Sequence, residues 1–549
     1  MKLTQRRDGV VPYPDDMVAR YRADGLWHDR TIPDEFRAVA RRTPDAPALA
    51  GPRGRYTYAE LDAASDRVAA GLVRLGLPAG GAVLMQIENT EWAVVAWYGL
   101  LKAALVPVAT LSVHREHEIG PIAAQTDAVA HLVQADLPNF DLVAFARDLA
   151  DRTDPSRVVL GIGDRAPTPG VVAVETLGAE LDDDTTRALA QVPAASDDVA
   201  VFQLSGGTTG VPKVIPRLHA EYWYNARAYA ERLGWDDTTR IVHMGPLMHN
   251  VGIVCALHPV HGVGGTFVVG TRDLDVMLPL MADVGITDTT LQPGVAAGMR
   301  EHPLFEAAFA RARRIVLSGS AISEELFESF DGRGIRVAGL FGMGEGLCTV
   351  TPLDDPAESR RLTVGSPISP LDEVRILEPG TETPVPEGET GELCARGPYT
   401  LRGYLSAPER NAEAFTSDGF YRTGDLMSLR RIEGLPRYVF EGRAKDLVNR
   451  GGEKINSAEI EALALQLPGV RCAGLIPVPD ARLGERACLC LELEPDVPPV
   501  ELDDLQRFLE DRGVAKYKWP EFIEHFDELP RTPVGKIDKR RLGATVTTA

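Results

Sequence analysis

The chain has 549 residues, enough for several domains, and its 44% hydrophobic and 25% charged content is that of an ordinary globular protein. Its 58 Lys and Arg against 79 Asp and Glu give a formal net charge of −21, which argues against binding of a nucleic-acid backbone. The six cysteines form no Cys-x-x-Cys pair, so we expect neither a disulfide framework nor a zinc site.

The start of the chain and its most apolar stretch both predict a cytoplasmic protein without a membrane anchor. Residues 1–16 lack the apolar core of a signal peptide. The stretch from Trp92 to Leu111 is the most membrane-like, but Lys102 and Pro107 interrupt it. We therefore expect a buried helix there, followed by a strand.

Helical patterns alternate with short apolar runs along most of the chain. Thr57 and Glu60 form a capping box at the start of one predicted helix, which Gly76 and Pro78 end. Residues 82–87, AVLMQI, predict the strand that follows. This alternation predicts an α/β fold with helices layered on largely parallel sheets.

A loop rich in glycine and hydroxyl groups follows the predicted buried strand at 199–204. Its sequence, SGGTTGVPK, suits a polyphosphate, because glycines let backbone N–H groups face a ligand while the hydroxyls and the lysine add donors and charge. Valine and proline separate the last glycine from the lysine, so the Walker motif fails on spacing. A flexible surface turn is the alternative. The predicted phosphate-binding residues are Ser205, Gly206, Gly207, Thr208, Thr209, Gly210 and Lys213.

This loop and five later segments, in the same order, resemble the signatures of the adenylate-forming superfamily. That superfamily includes acyl- and aryl-CoA ligases, adenylation domains of peptide synthetases, and luciferases. The resemblance covers nearly the whole chain, and several ordered motifs are far more specific than one. The later segments are LSGSA (317–321), FGMGEG (341–346), YRTGD (421–425), GRAKDLVNRGGEKINSAEIE (442–461) and PRTPVGKIDKR (530–540).

The domain organisation is predicted from both the resemblance and the pattern. We expect a large N-terminal adenylation domain at 1–441, a hinge at 442–446 centred on Lys445, and a small mobile α+β domain at 446–549. In that last part, VRCAGLIPVP, CLCLELEP and EFIEHFDELP predict strands, and ELDDLQRFLEDRGV predicts a helix.

The resemblance implies a reaction in two halves. A carboxylate attacks the α-phosphorus of ATP and gives an acyl-adenylate and pyrophosphate. A thiol then attacks the activated carbonyl and releases AMP. Positioning and charge stabilisation, rather than covalent catalysis, would carry the rate.

The resemblance assigns roles to several residues. Glu345 would bind Mg²⁺, Asp425 the ribose hydroxyls with Arg443 nearby, and Lys536 the carboxylate oxygen and the α-phosphate. Thr208 joins Lys536 and Glu345 as a catalytic residue. Taken singly, such residues are usually solvated surface groups or structural ion pairs. The segments that bracket the nucleotide and the acyl pocket contribute Gly319, Ser320, Ala321, Phe341, Gly342 and Met343.

The resemblance also implies that the small domain rotates between the two half-reactions about Lys445. Lys536 would then leave, and the face around Gly451 and Gly452 would form the channel for the thiol.

The pair His249–Asn250 resembles the aryl-acid branch, whose members activate salicylate or 2,3-dihydroxybenzoate for siderophores and related natural products. In that branch the asparagine meets the ortho-hydroxyl of the ring. A pocket with such an amide rejects rings that leave it unpaired. The alternative is that both residues cap a loop.

Four further residues are predicted to contact the acid. Cys255 stands where dihydroxybenzoate enzymes place serine, so a ring that is unsubstituted or apolar at that edge is favoured, unless Cys255 is an ordinary core residue. Val251 replaces the usual aromatic residue and predicts room for a bulkier 2-hydroxybenzoate. Gly319 and Gly344 are the remaining two.

The predicted acceptor is the phosphopantetheine thiol of a separate carrier protein, because no carrier domain follows Lys536. Free coenzyme A is the alternative acceptor, and 2,3-dihydroxybenzoate or 3-hydroxyanthranilate the alternative acid.

A non-catalytic sensor and a fatty acyl-CoA ligase are the rival functions, and the oligomeric state, monomer or homodimer, is left open. The intact Glu345 and Lys536 argue against the sensor, and His249–Asn250 against the fatty acid.

Overall fold

The computed structural model describes residues 7–163, 168–177, 189, 192–205, 212–319, 322–450, 453–480, 483–495, 497–512, 514, 516–532 and 535–546. These residues form two compact units. The first unit takes its residues from 1–361, 365–373 and 396–421, and the second from 362–364, 374–395 and 422–549. The domain boundary expected at 442–446 stays a prediction.

The first unit contains a seven-stranded sheet that is parallel except at one edge, where the last two strands pair antiparallel. Its buried strands are rich in valine, leucine and alanine, as expected for a parallel sheet covered on both faces. Across the sheet, the strands are Val172–Ala173, Val158–Ile162, Ala128–Gln134, Ala82–Gln86, Val106–Val108, Val199–Leu204 and Val214–Leu218.

A second sheet of the first unit has nine strands, with a parallel centre and antiparallel edges. The carboxyl ends of its central strands meet at one edge, which is where open α/β sheets bind ligands. Across the sheet, the strands are Ser366–Pro367, Cys348–Val350, Arg336–Gly342, Arg314–Ser318, Asp288–Leu291, Arg240–His243, Thr266–Val269, Pro47–Ala50 and Arg55–Thr57.

Helices of the first unit alternate with these strands, as the sequence predicts. They span Asp15–Ala23, Ile32–Arg42, Tyr58–Arg74, Glu91–Lys102, Glu116–Gln125, Leu142–Thr153, His219–Arg232, Asn250–Gly252, His258–Val263, Leu274–Val284, Pro293–Arg300, Phe305–Ala308, Glu324–Asp331, Ala357–Leu362 and Pro408–Glu413. A 3₁₀ turn spans Val174–Thr176, and a π-helical turn spans Ile253–Leu257.

Two local predictions are confirmed in this unit. The helix Tyr58–Arg74 begins at the capping box of Thr57 and Glu60, which satisfies two free backbone N–H groups. The apolar stretch is the buried helix Glu91–Lys102 followed by the strand Val106–Val108. The Lys102 ammonium is buried but lies 2.8 Å from an Asp66 oxygen, so its charge is paired.

No helix within the described ranges of the chain has both the length and the apolar character needed to cross a membrane.

The second unit contains the predicted C-terminal strands and helix. Its mixed sheet runs Glu453–Asn456, Leu447–Arg450, Gly484–Leu493 and Val470–Asp480, with Phe522–Phe526 also paired to Gly484–Leu493. Its helical segments span Ala444–Asp446, Ser457–Ala464, Leu502–Asp511, Lys516–Lys518 and Lys539–Thr545. A four-stranded sheet, chiefly of this unit, runs Glu373–Leu377, Gly391–Arg396, Tyr421–Ile432 and Leu435–Arg443.

Candidate active site

The predicted phosphate loop joins two antiparallel strands at the edge of the seven-stranded sheet, and two hydrogen bonds between Ser205 and Lys213 close its neck. The Ser205 N–H donates to the Lys213 carbonyl, and the Lys213 N–H donates to the Ser205 Oγ, each at 3.0 Å. The two ends of the loop are therefore held together. Gly206, Gly207, Thr208, Thr209 and Gly210 lie outside the described residues.

A tyrosine hydroxyl links the end of this loop to the predicted metal ligand. The Lys213 ammonium donates to the Tyr404 Oη at 3.4 Å and lies 4.6 Å from the centre of its ring. Tyr404 in turn donates to the Glu345 Oε1 at 2.8 Å, and Tyr421 lies 2.8 Å from the same hydroxyl. Burial raises the pKa of Tyr404, so its hydroxyl stays neutral and a donor.

Glu345 fits a Mg²⁺ ion that arrives with a nucleotide. Its side chain is buried at the site, and one of its oxygens is held by Tyr404. No group of three or more potential metal-ligating side chains occurs in the part of the chain that is described. Magnesium suits such a site, because it commonly uses one or two carboxylates together with substrate phosphates and water.

Two neighbouring parallel strands bring the LSGSA and FGMGEG segments to one edge of the nine-stranded sheet. Ser318 pairs with Leu340, so Gly319 and Phe341 follow at adjacent strand ends. Gly319 has a φ of 96°, a backbone conformation that side chains with a Cβ rarely adopt. Ser320 and Ala321 lie outside the described residues.

In the second unit, the residues predicted to bind ribose and the reacting groups lie within electrostatic reach of one another. Asp425 and Arg443 face each other on paired strands, with an N–O distance of 3.1 Å. Desolvation lowers the pKa of the Lys536 ammonium, the Arg443 guanidinium lowers it further, and the Asp425 carboxylate opposes both. Lys445 lies in the turn Ala444–Asp446. Gly451 and Gly452 lie outside the described residues.

A cavity in the first unit brings together the residues predicted to contact the acid. Its lining includes His249, Asn250, Val251, Cys255, Gly342, Met343 and Gly344. Lining residues that were not predicted are Asn225, Val254, Leu340, Gly346, Leu347 and Cys348. Gly319 does not line it. The cavity measures about 30 Å³. Since a benzene molecule is accommodated by a cavity of about 150 Å³, the lining side chains must move apart to admit a ring.

One wall of this cavity is a helical segment with an irregular turn. His249 caps the helix Asn250–Gly252, and its side chain accepts from the Val251 N–H at 3.5 Å. The π-helical turn Ile253–Leu257 follows and carries Cys255 into the lining. Turns of this type are rare inside helices and occur often at functional sites.

Asn250 does not cap the helix but is held by a buried hydrogen-bond network. The Gln203 Nε2 donates to the Tyr222 Oη at 2.9 Å, and Tyr222 donates to the Asn250 Oδ1 at 3.0 Å. The Asn250 Nδ2 donates to the Met343 carbonyl at 3.4 Å. A carbonyl can only accept, so the amide nitrogen faces Met343 and the cavity lining, and its oxygen faces Tyr222. Burial raises the pKa of Tyr222, which keeps the hydroxyl neutral.

Arg217, which the sequence analysis did not single out, donates hydrogen bonds to two residues of the cavity lining, Gly344 and Asn225. Its guanidinium is fully buried and donates to both Glu221 carboxylate oxygens, at 2.8 and 2.9 Å. It also donates to the carbonyls of Gly344 at 2.9 Å and Tyr399 at 3.3 Å. Arg217 lies in the strand Val214–Leu218 and Glu221 in the helix that follows, so no helical spacing in the sequence marked the pair.

Comparison with known proteins finds matches along the chain. The family model described as AMP-binding enzyme matches residues 36–405, and the model of the AMP-binding enzyme C-terminal domain matches residues 459–536.

Two curated relatives and one solved structure illustrate the similarity. Salicylyl-CoA synthase / salicylate adenylyltransferase from a Streptomyces species is 38% identical over 98% of this chain and 97% of its own length. 2-Hydroxy-7-methoxy-5-methyl-1-naphthoate–CoA ligase from Streptomyces carzinostaticus is 36% identical, with 98% and 97% covered. The apo structure of Mycobacterium smegmatis MbtA is 34% identical, with 98% and 99% covered and a TM-score of 0.73.

Glu221→Gln should destabilise the protein by about 3 kcal/mol or more, because it leaves a buried guanidinium without its counter-charge. The measurement is the free energy of unfolding in urea. Glu231→Gln, an exposed position on the same helix, is the control and should change stability by less than about 0.5 kcal/mol. Equal effects of the two substitutions would contradict the structural role assigned to the ion pair.

Proposed function

The chain belongs to the AMP-binding enzyme family and is an adenylate-forming ligase, and from this premise we propose that its substrate is an aryl carboxylic acid with an ortho-hydroxyl group. The acid is salicylate or a substituted 2-hydroxybenzoate, and its product with ATP is the aryl-adenylate. The observation that carries the proposal is the amide of Asn250, which is buried, fixed by Tyr222 and Met343, and part of the cavity lining.

The geometry of Asn250 supports recognition of a ring oxygen. Of its two amide hydrogens, one is directed to the Met343 carbonyl at a long distance of 3.4 Å. The other is available to an acceptor on the acid. The rest of the lining includes Val254, Leu340 and Leu347, which suit an aromatic ring. The names of two relatives, which specify salicylate and a 2-hydroxynaphthoate, support the same class of acid.

Val251 supports a ring larger than salicylate itself. It lines the cavity and is only partly buried, so this wall has less bulk than an aromatic residue would give. The naphthoate in the name of one relative is a 2-hydroxy acid of larger size. We therefore keep a substituted 2-hydroxybenzoate within the proposal, with 3-hydroxyanthranilate and 2,3-dihydroxybenzoate as alternatives.

Charged groups of each unit carry a proposed role toward the nucleotide. In the first, Lys213 and the loop that it ends would bind the β- and γ-phosphates, while Tyr404 orients the Glu345 carboxylate. A bound Mg²⁺ ion would neutralise phosphate charge. In the second, Asp425 would accept hydrogen bonds from the ribose hydroxyls, and the Arg443 guanidinium pairs with that carboxylate.

Lys536 would stabilise the negative charge that develops as the acid attacks the α-phosphate. An ammonium is a mobile point charge that suits this task. Its pKa is lowered by desolvation and by the Arg443 guanidinium. The acceptor in the second half-reaction would be the phosphopantetheine thiol of a carrier protein. Free coenzyme A is the second candidate, favoured by the names of two relatives.

The first test is pyrophosphate exchange into ATP with benzoate, salicylate, 2,3-dihydroxybenzoate, 6-methylsalicylate, anthranilate, 3-hydroxyanthranilate and a fatty acid. Salicylate or a related 2-hydroxybenzoate should exceed benzoate by roughly 10-fold or more in kcat/KM, because benzoate leaves a buried amide unpaired. Asn250→Ala should remove most of this difference while leaving benzoate nearly unchanged. Exchange with the fatty acid alone would reject the proposal.

Lys536→Ala should lower the rate of adenylation by roughly 100-fold or more, because a charge that stabilises the transition state is lost. Transfer from a preformed aryl-adenylate to the thiol should stay nearly unchanged. Lys516→Ala, which removes an exposed lysine of the same unit, is the control. Equal loss of both half-reactions in the Lys536 variant would contradict this division of labour.

Val251→Tyr should narrow the set of accepted rings, because a tyrosine side chain fills the space that valine leaves. Bulky 2-hydroxybenzoates should lose kcat/KM more than salicylate does in the exchange assay. If the order of acids is the same as in the wild type, then Val251 does not limit ring size.

A further inference from the structure

A second asparagine lines the cavity, and it has no assigned role. Asn225 lies on the helix His219–Arg232, its side chain is 1% exposed, and it lines the same cavity as Asn250. Its Nδ2 is buried and has no hydrogen-bond partner among the described residues. A buried donor without a partner is unfavourable and rare, so a group that pairs with it in a complex is favoured.

The orientation of this amide is fixed by a hydrogen bond from Arg217. The Arg217 guanidinium donates to the Asn225 Oδ1 at 3.4 Å. A guanidinium cannot accept a hydrogen bond, so the amide oxygen must face Arg217 and the NH₂ group must point away from it. Rotation of the amide by 180° would place two donors against each other. Arg217 cannot turn aside, because Glu221 and the Gly344 carbonyl hold it.

Four side chains of the described lining offer the Asn225 NH₂ group no good partner. Leu340 and Leu347 in the lining are apolar. Cys255 and Cys348 are buried thiols, which are weak acceptors. An acceptor supplied by the acid would satisfy the donor.

We propose that Asn225 is a specificity-determining residue whose Nδ2 donates to a second acceptor on the acid, in addition to the ortho oxygen at Asn250. This inference rests on the proposed function. It names the acid more closely: a 2-hydroxybenzoate with one further hydroxyl oxygen or similar acceptor on the ring. An amino group at that position is disfavoured, because its N–H bonds meet the N–H bonds of Asn225.

The test compares salicylate with 2,3-, 2,4-, 2,5- and 2,6-dihydroxybenzoate and with the aminosalicylates that carry nitrogen at the same positions. The readout is KM and kcat for each acid in pyrophosphate exchange. In the wild type, there should be one ring position at which the dihydroxybenzoate has a KM roughly 10-fold or more below that of the matching aminosalicylate. If no hydroxyl position is preferred over its amino counterpart, the inference is wrong.

Two variants isolate the amide. Asn225→Leu keeps the side-chain size and removes the donor, so the preferred dihydroxybenzoate should lose its advantage in kcat/KM over salicylate. Asn225→Asp keeps an oxygen for Arg217 and presents an acceptor to the cavity. It should shift the ratio of the two KM values, dihydroxybenzoate against aminosalicylate of the same ring position, in favour of the aminosalicylate by roughly 10-fold or more.

A control on the same helix separates recognition from structure. Tyr224→Phe removes a buried hydroxyl that lies 2.8 Å from the Ser369 Oγ, and Tyr224 does not line the cavity. It should leave the order of acids unchanged.

The results separate the role of Asn225 from the proposed function on which it rests. If both Asn225 variants lower kcat/KM equally for every acid, Asn225 is structural and this inference fails while the proposed function stands. If no 2-hydroxybenzoate supports exchange in the wild type, the proposed function fails, and the inference fails with it.

Discussion

A guanidinium buried in the first unit constrains much of the candidate acid pocket. Charge in a protein interior is tolerated only when ion pairing and hydrogen bonds replace its hydration. Arg217 meets this condition with the Glu221 carboxylate and two backbone carbonyls, at Gly344 and Tyr399. These groups come from three separate parts of the chain, so satisfying one charge fixes their positions relative to one another.

The same constraint sets the polarity of the pocket. Asn225 must turn its oxygen to Arg217, and Asn250 must turn its nitrogen to the Met343 carbonyl. An isolated amide can rotate and serve as donor or acceptor, but these two cannot, since each faces a group with a single role. Amides oriented in this way would distinguish a ring hydroxyl from a ring amino group by the direction of the hydrogen bond rather than by size. Discrimination of this kind is stronger than that available from a methylene group.

Local features of the fold were predictable from the sequence because their causes are local. The capping box of Thr57 and Glu60 spans three residues, and the strand Val199–Leu204 is a short apolar run before a glycine-rich loop. The motif order placed Asn250, Val251, Cys255 and Gly344 in one pocket, where the structure also has them. Arg217 and Tyr404 were not predicted, because part of their significance depends on partners distant in sequence. Tyr404 reaches Glu345 across 59 positions and Arg217 reaches Gly344 across 127. No periodicity or spacing reports such pairings.

Because of the π-helical turn at Ile253–Leu257, the number of residues in this segment determines which side chains face the cavity. A π turn accommodates one residue more than an α-helical turn, so deletion of a single residue can convert it to an ordinary helix. The flanking segments, Asn250–Gly252 and His258–Val263, would keep their helical form, while the side chains between them would rotate about the helix axis. The group presented at the position of Cys255 would then change without any substitution there. Descendants of this chain could acquire a new ring preference through a change in length, and their sequences would differ from it by a gap rather than by a replaced residue.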